Sequence, residues 1–292
     1  MANPARRHPK NAAGPWFVDD TCIDCDASRQ CAPELFGEEG GQSVVIRQPA
    51  SDGEVARAAR AMLACPTGSI GGSPLPDLDR LFPLELEDGV YYCGYNSPRS
   101  YGANAFFARR AAGNLLIDSP RFVSRLVGAI EELGGLSDIL LTHQDDVADA
   151  ERFARHFGAR VWIHRDDARA APFADHLFSD RTEIRAGLTA IPVPGHTRGS
   201  AVFHLDDRFL FTGDSLHYSR GLGQLSAFRS VCWYSWEEQT RSLEALIDLP
   251  FEWVLAGHGD RHRAPAAWMR ASLRRLVEAM RSGDPGLLAE PW

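Results

Sequence analysis

Four cysteines crowd the first 65 residues, Cys22, Cys25, Cys31 and Cys65, while Cys93 and Cys232 stand alone. Clustered thiols in a reducing compartment hold a metal or a metal–sulfur cluster more often than they pair as disulfides. A second set of donors is spread along the rest of the chain. "ILLTHQDDVADAERF", from Ile139 to Phe153, ends an apolar run in Thr142-His143 and follows it with the carboxylates Asp145, Asp146 and Asp149. "VPGHTRGSAVFHL" sets His196 after a Pro-Gly turn, "FLFTGDSL" ends at Asp214 and its neighbours, and "WVLAGHGD" brings His258 to the end of another apolar strand. A polar residue just past a buried strand is held rigidly and presented at one edge, where metal ligands belong. Imidazole and carboxylate donors in this array suit one or two divalent metals, zinc or iron. Taken singly, each has a plainer reading: Asp214 as a turn residue, His258 as a turn histidine, Cys93 and Cys232 as small buried hydrophobes. Four such strand ends together outweigh the separate readings.

The elements that must position these donors follow from hydrophobic periodicity. Residues 1–14 are rich in Pro, Ala and Arg and are expected to be disordered. A first domain is expected over 15–75, with short strands at "WFVD" and "QSVVIRQ" and a helix in "DGEVARAARAML" capped by Ser51 or Asp52. "GGSPLPDLD", residues 71–79, reads as a linker, because Gly and Pro break both periodic structures, and the linker is expected over 76–84. Over 85–285 strand candidates alternate with helices: "GVYYCGY", "ANAFFARR", "GNLLIDS", "DILLTH", "ARVWIH", "LTAIPVP", "SAVFHL", "RFLFTGD" and "WVLAGH", with helices near 120–134, 147–157, 235–247 and 265–282. Successive strands imply hairpins, and strands separated by helices imply crossovers.

Bulk properties narrow the classes. The chain has 292 residues, 44% of them hydrophobic, with a net charge of -8 and no basic tract, which argues against nucleic-acid or anionic-membrane partners. No apolar run reaches the roughly 18 residues that a bilayer span needs. The N-terminal stretch lacks an apolar signal core, so the cytoplasm is the expected location.

The cysteine segment "FVDDTCIDCDASRQCAPELF", followed by "ACPTGSI", resembles the single-cluster bacterial ferredoxins, which space three cysteines as C-x2-C-x2-C and place a fourth before a distant proline. Cys22, Cys25 and Cys65-Pro66 match, but the third position is Ser28, with Cys31 three residues later. The resemblance implies an iron–sulfur cluster, and three arrangements stay open: a 4Fe-4S cluster completed by Cys31, one completed by Ser28, or a 3Fe-4S cluster. Four-thiolate zinc is the alternative. Thiolate binds iron more readily than alkoxide at neutral pH, so Cys31 is the expected ligand with Cys22, Cys25 and Cys65.

The later segments resemble the metallo-β-lactamase superfamily over roughly residues 85–262. The implied architecture is an α+β ferredoxin-like iron–sulfur domain followed by an αββα metallo-β-lactamase sandwich, with metals at one edge. The family's first motif, T-H-x-H-x-D-H, is here Thr142-His143-Gln144-Asp145-Asp146-Val147-Ala148, so Val147 and Ala148 replace two ligands. The resemblance implies a first metal position of His143, Asp145, His196 and Asp214. A second would share Asp214, keep His258 and recruit Asp146, Asp149 or water. The expected pocket therefore holds one tight metal and one weak one, and Asp145 or Asp146 accepts a proton. The expected activity is hydrolysis of a small-molecule substrate. The alternatives are an iron-dependent oxidoreductase fed electrons by the cluster through a redox partner protein, and a non-catalytic, redox-responsive member of the fold. "RSVCWYSW" reads first as core packing, with an apolar pocket lined by Trp233, Tyr234 and Trp236 as the alternative.

Overall fold

Short strands and small helical side chains build the cysteine-bearing end of the chain. The computed structural model describes residues 2–283, and the chain divides into two units, Met1–Leu136 and Ser137–Trp292. The expected end of the second domain at 285 lies outside the described residues.

In the first unit β1 (Phe17–Val18) pairs antiparallel with β4 (Ile70–Gly71), and β2 (Phe36–Glu38) with β3 (Ser43–Val45). Between them lie α1 (Ala27–Cys31) and α2 (Asp52–Ala64). Ser51 caps α2: its Oγ accepts from the Glu54 N–H at 3.3 Å. The helix presents Ala58, Ala59, Ala61 and Ala64 inward, and this small-residue face joins a core of Trp16, Val18, Leu35, Phe36, Val45 and Ile70. Residues 2–14 differ from the disordered tail expected from composition. The Asn11 amide accepts from Val18 N and Val45 N and donates to Val18 O, tying β1 to β3, and Ala12 N donates to Val45 O. One polar side chain therefore satisfies backbone groups of two strands that do not pair with each other.

The same unit continues through an antiparallel meander, β5 (Leu84–Glu87), β6 (Val90–Tyr92), β7 (Phe106–Ala108) and β8 (Leu115–Ile117), and ends in α3 (Ser124–Glu132). The division of the chain thus falls after α3 and not at the expected linker. Side chains explain this. Arg121 Nη2 donates to the carbonyls of Leu63 and Cys65 at 3.0 and 3.2 Å, Asn104 Nδ2 donates to Gln30 Oε1 at 3.0 Å, and the Tyr101 hydroxyl donates to Ile23 O.

In the second unit β9 (Asp138–Leu140), β10 (Arg160–His164) and β11 (His176–Phe178) run parallel, with α4 (Ala150–Phe157) crossing between the first two. A six-stranded sheet has the order β12 (Thr182–Arg185), β13 (Leu188–Pro192), β14 (Ala201–Leu205), β15 (Phe209–Gly213), β18 (Trp253–Ala256), β19 (His262–Arg263). Between β15 and β18 the chain makes a small hairpin, β16 (His217–Ser219) with β17 (Gln224–Ser226), and α5 (Trp236–Ala245). All pairings in this sheet are antiparallel except β15 with β18. The C-terminal α6 (Ala266–Ser282) buries Met269, Leu273, Leu276 and Val277 in a cluster with Val202, Leu210 and Val254 of the sheet. Because β15 and β18 are parallel, their C-terminal ends meet at one edge. The antiparallel β14 starts at that edge. Asp214, His258 and the His196 loop are therefore neighbours by topology.

Candidate metal centre and cysteine cavity

His143 follows β9 in extended conformation, and a single turn of 3-10 helix, Gln144–Asp146, follows it. Thr142 Oγ1 bonds His143 Nδ1 at 2.9 Å, which orients the ring and leaves Nε2 facing the other donors. His143 Nε2 lies 3.6 Å from Asp214 Oδ2 and 4.0 Å from Asp145 Oδ2. His196 Nε2 lies 3.3 Å from the same Asp145 oxygen and 3.7 Å from the same Asp214 oxygen. Ligands about 2.1 Å from a metal in a tetrahedral site stand about 3.4 Å apart, close to these histidine–carboxylate separations. His143, Asp145 and His196 close into one donor group within 4.8 Å, and His143, Asp146 and Asp214 into another, so the residues expected at the first metal position divide between two overlapping groups that share His143.

The surroundings set the charge. Asp145 is held below the usual carboxylate range, first by its hydrogen bond to His196, against burial. Burial raises the Asp214 carboxyl, but His258 and His143 more than reverse this and leave it well below its ordinary value. Burial lowers His258, yet the Asp214 carboxylate raises it to about 9. His258 Nδ1 lies 2.9 Å from each Asp214 oxygen.

The second position is poorer. Asp146, almost fully buried, groups with His143 and Asp214. Asp149 belongs to neither donor group found among the described residues; it stands at the start of α4 with Arg152 Nη1 3.7 Å away. Val147 and Ala148 occupy the two altered ligand positions as apolar, buried side chains.

Three features escaped sequence reading. Asp167, 2% exposed, accepts from Gln144 N, Thr197 Oγ1 and Gly199 N, so one carboxylate fastens the His143 loop to the His196 loop. Gly257 leaves room for two carboxylates: a Cβ there would stand 2.7 Å from Asp214 Oδ1 and 2.8 Å from Asp146 Oδ2. Trp233 and Tyr234 were expected in the core but are 64% and 48% exposed, because the backbone N–H of each donates to His196 O and so holds this stretch on the ligand loop. The Trp233 ring centroid lies 6.3 Å from that of His196. Arg198, next to the His196 loop's Thr197, pairs with Asp166 at 3.1 Å. His217 is buried against Phe228, ring centroids 3.8 Å apart, and burial pushes it down to about 3.

The cysteine cavity is lined by Cys22, Cys25 and Cys65 with Ser28, Ser43, Thr67 and Ser69. Backbone N–H groups point at sulfur: Asp24 N and Ser43 N at 3.4 and 3.3 Å from Cys22 Sγ, Ser69 N at 3.3 Å from Cys65 Sγ. Burial pushes Cys25 up to about 12, and the neighbouring Cys65 and Cys22 add to this. Three thiolates there require a cationic group among them. The spacing separates two such groups. Zinc bound at about 2.3 Å would draw its sulfurs to about 3.8 Å from one another. Among the described residues, no cysteine belongs to a donor group closed to within 4.8 Å. The wider spread fits a cluster. Cys31, the expected fourth ligand, is not among the residues lining the cavity, whereas Ser28 is.

Comparison with known proteins places each part of the chain in a family. Residues 84–259 match the family described as metallo-beta-lactamase superfamily, and residues 18–72 match the 4Fe-4S single cluster domain of ferredoxin I. The hydroxyacylglutathione hydrolase of Fuscovulum blasticum is 32% identical over 193 residues, 63% of this chain and 70% of that protein. That of Cereibacter sphaeroides is 34% identical over 163 residues, 53% of this chain, and only 61% of its own length is spanned. Among solved structures, VMB-1 superposes with a TM-score of 0.53 at 16% identity, covering 68% of this chain and 96% of that one. The FIM-1 metallo-β-lactamase of Pseudomonas aeruginosa, in its mono-zinc form, gives 0.53 at 18%, covering 69% and 95%. At such identities these structures show the fold alone.

Proposed function

Because the chain belongs to the metallo-beta-lactamase superfamily and carries a ferredoxin-type domain ahead of it, we propose that it is a metal-dependent hydrolase with an iron–sulfur module. The observation that carries this reading is the convergence of His143 Nε2, His196 Nε2, Asp145 Oδ2 and Asp214 Oδ2. A divalent cation, when bound, would supply Lewis-acid polarisation of a carbonyl and a more acidic water. Asp214 and the two histidines, all buried, would hold it with Asp145, whose side chain is 44% exposed. Asp146, buried beside His143 and Asp214, would accept the proton while the second position stands empty. His258 and Asp146 make a second, weaker metal position beside Asp214. Trp233 forms an apolar wall next to His196 for the group flanking the scissile bond. By the relatives' names, an acyl thioester is the first substrate class to try, and a reducing cytoplasm suits a thiol-lined cavity.

A second reading rests on the donor set: two carboxylates among four donors suit iron as well as zinc, and iron beside a cluster would make an oxidoreductase served by a redox partner protein. One measurement separates them. The full-length protein is purified anaerobically, its iron-to-zinc ratio is read against sulfide, and the zinc-loaded protein is assayed on a panel of acyl thioesters and esters. Zinc-dependent turnover lost in His196→Ala supports the hydrolase. Iron in excess of the cluster, with no turnover of any acyl compound, favours the oxidoreductase.

A further inference from the structure

We propose that Ser28 supplies, through its side-chain oxygen, the fourth corner of the iron–sulfur cluster, so that three thiolates and one hydroxyl oxygen hold it and one corner iron exchanges. This rests on the reading of the cavity as a cluster site. Ser28 lines the cavity with Cys22, Cys25 and Cys65, whereas Cys31 does not. The serine is 5% exposed and its place is built. Its Oγ–H donates to Ser43 Oγ at 2.9 Å, and Ser43 Oγ accepts at 3.2 Å from Nη1 of Arg29. A hydroxyl that receives a guanidinium bond can turn its own proton toward Ser28, so Ser28 oxygen keeps a donor when it binds a cation. Arg29, 6% exposed, also binds Asp26 Oδ1 and Asp24 Oδ1 at 2.5 and 2.7 Å, which fixes the loop between Cys22 and α1. Asp24 and Asp26 both have positive φ, 55° and 63°, conformations that few residues other than glycine adopt readily. The chain thus commits two strained aspartates and a buried arginine to presenting Cys25 and Ser28 together. Oxygen is a weaker partner for cluster iron than thiolate. The consequence is a corner from which [4Fe–4S]2+ releases Fe2+ to leave [3Fe–4S]0, with all four sulfides retained and no electron transferred.

The test uses full-length protein reconstituted anaerobically with ferrous iron and sulfide. Comparison among variants isolates the cluster, because the second metal centre is the same in all. Wild type and Ser28→Cys are expected to hold four-iron clusters and Ser28→Ala a three-iron cluster, read by electron paramagnetic resonance after one-electron oxidation with ferricyanide. With a ferrous chelator, wild type should lose one iron several-fold faster than Ser28→Cys, and Ser43→Ala faster still. The assignment is overturned if Cys31→Ala, and not Ser28→Ala, gives the three-iron form. It is also overturned if wild type holds three irons under excess ferrous iron, or if wild type and Ser28→Cys release iron equally fast. That last comparison decides even where Ser28→Ala does not fold. A lack of sulfide in every variant is a different failure: it removes the cluster reading itself, and the corner with it.

Discussion

Gly257 has no side chain, and the room this leaves is taken by Asp214 and Asp146. Gly257→Ala would push its methyl to within 2.8 Å of a carboxylate oxygen from each. Those oxygens sit at the ends of side chains that can swing, so the fold should survive while the site spreads. Metal affinity is expected to fall roughly 10–100-fold, the range for disturbed supporting groups, and equilibrium dialysis against zinc reads it; unchanged affinity would contradict the packing. Asp167→Ala acts on two loops at once. It strips the acceptor from Gln144 N, Thr197 Oγ1 and Gly199 N. Leaving buried donors without an acceptor costs about 1–3 kcal/mol apiece, so urea denaturation should show a loss of about 3 kcal/mol together with weakened metal binding. Among these residues, His143 and Asp214 stand out in sequence because each follows an apolar run, His196 because it follows a Pro-Gly turn, and Asp145 comes from the family's motif. Gly257 and Asp167 were not legible there, since their roles depend on atoms far away in the chain. Trp233 and Tyr234 misled for a related reason: aromatic residues usually signal a core, and only the hydrogen bonds to His196 O reveal that these two are held outward.

At the level of elements, the nine strands expected after residue 85 and all four later helices lie where periodicity put them. The missed strands, such as β5, β16 and β19, are short or half exposed, so two-residue alternation has little room to show. β14 offers a pH test away from the metals. His204 lies in it, and its Nε2 faces the carbonyl of Pro250 at 2.7 Å. A carbonyl only accepts, so Nε2 carries the proton. Burial lowers this histidine below 6.5, and the Pro250 bond and Asp207 offset only part of that. The folded state therefore favours the neutral ring. Its contribution is complete above pH 6.5 and is lost as pH falls through the folded value, because the unfolded chain takes up the proton more readily. His204→Gln keeps an N–H for Pro250 O and removes the titration. Stability of this variant, measured by denaturant at a series of pH values, should decline less steeply below pH 6.5 than that of the wild type; parallel curves would show that His204 is not the group responsible.

Over the whole molecule, composition marks a linker between the two family segments, while the first compact unit runs on to Leu136. The ferredoxin-type segment and the meander β5–β8 belong to one unit, joined by Arg121, Asn104 and Tyr101. Such contacts leave no trace in local composition, which is why Gly and Pro alone suggested independence. A chain started at residue 84 would lose the carbonyl partners of Arg121 and the cover over its meander. It is expected to give a broad, low-amplitude thermal transition in calorimetry, where the full-length protein unfolds sharply. A sharp transition in the shortened chain would mean that the meander stands without the cysteine segment.

Gly102 makes the same point for anyone who would treat the iron–sulfur segment as a portable cassette. With φ at +89°, and with Cys25 Cβ and Sγ 2.8 Å from where a Cβ would go, it closes one side of the cysteine loop from the far side of the linker. A graft cut at the obvious Gly- and Pro-rich seam would carry the thiols away without that wall. To transplant the module with its ligand geometry intact, the excised piece must run on past Gly102 and Arg121, so the natural unit of exchange is larger than the sequence family it contains.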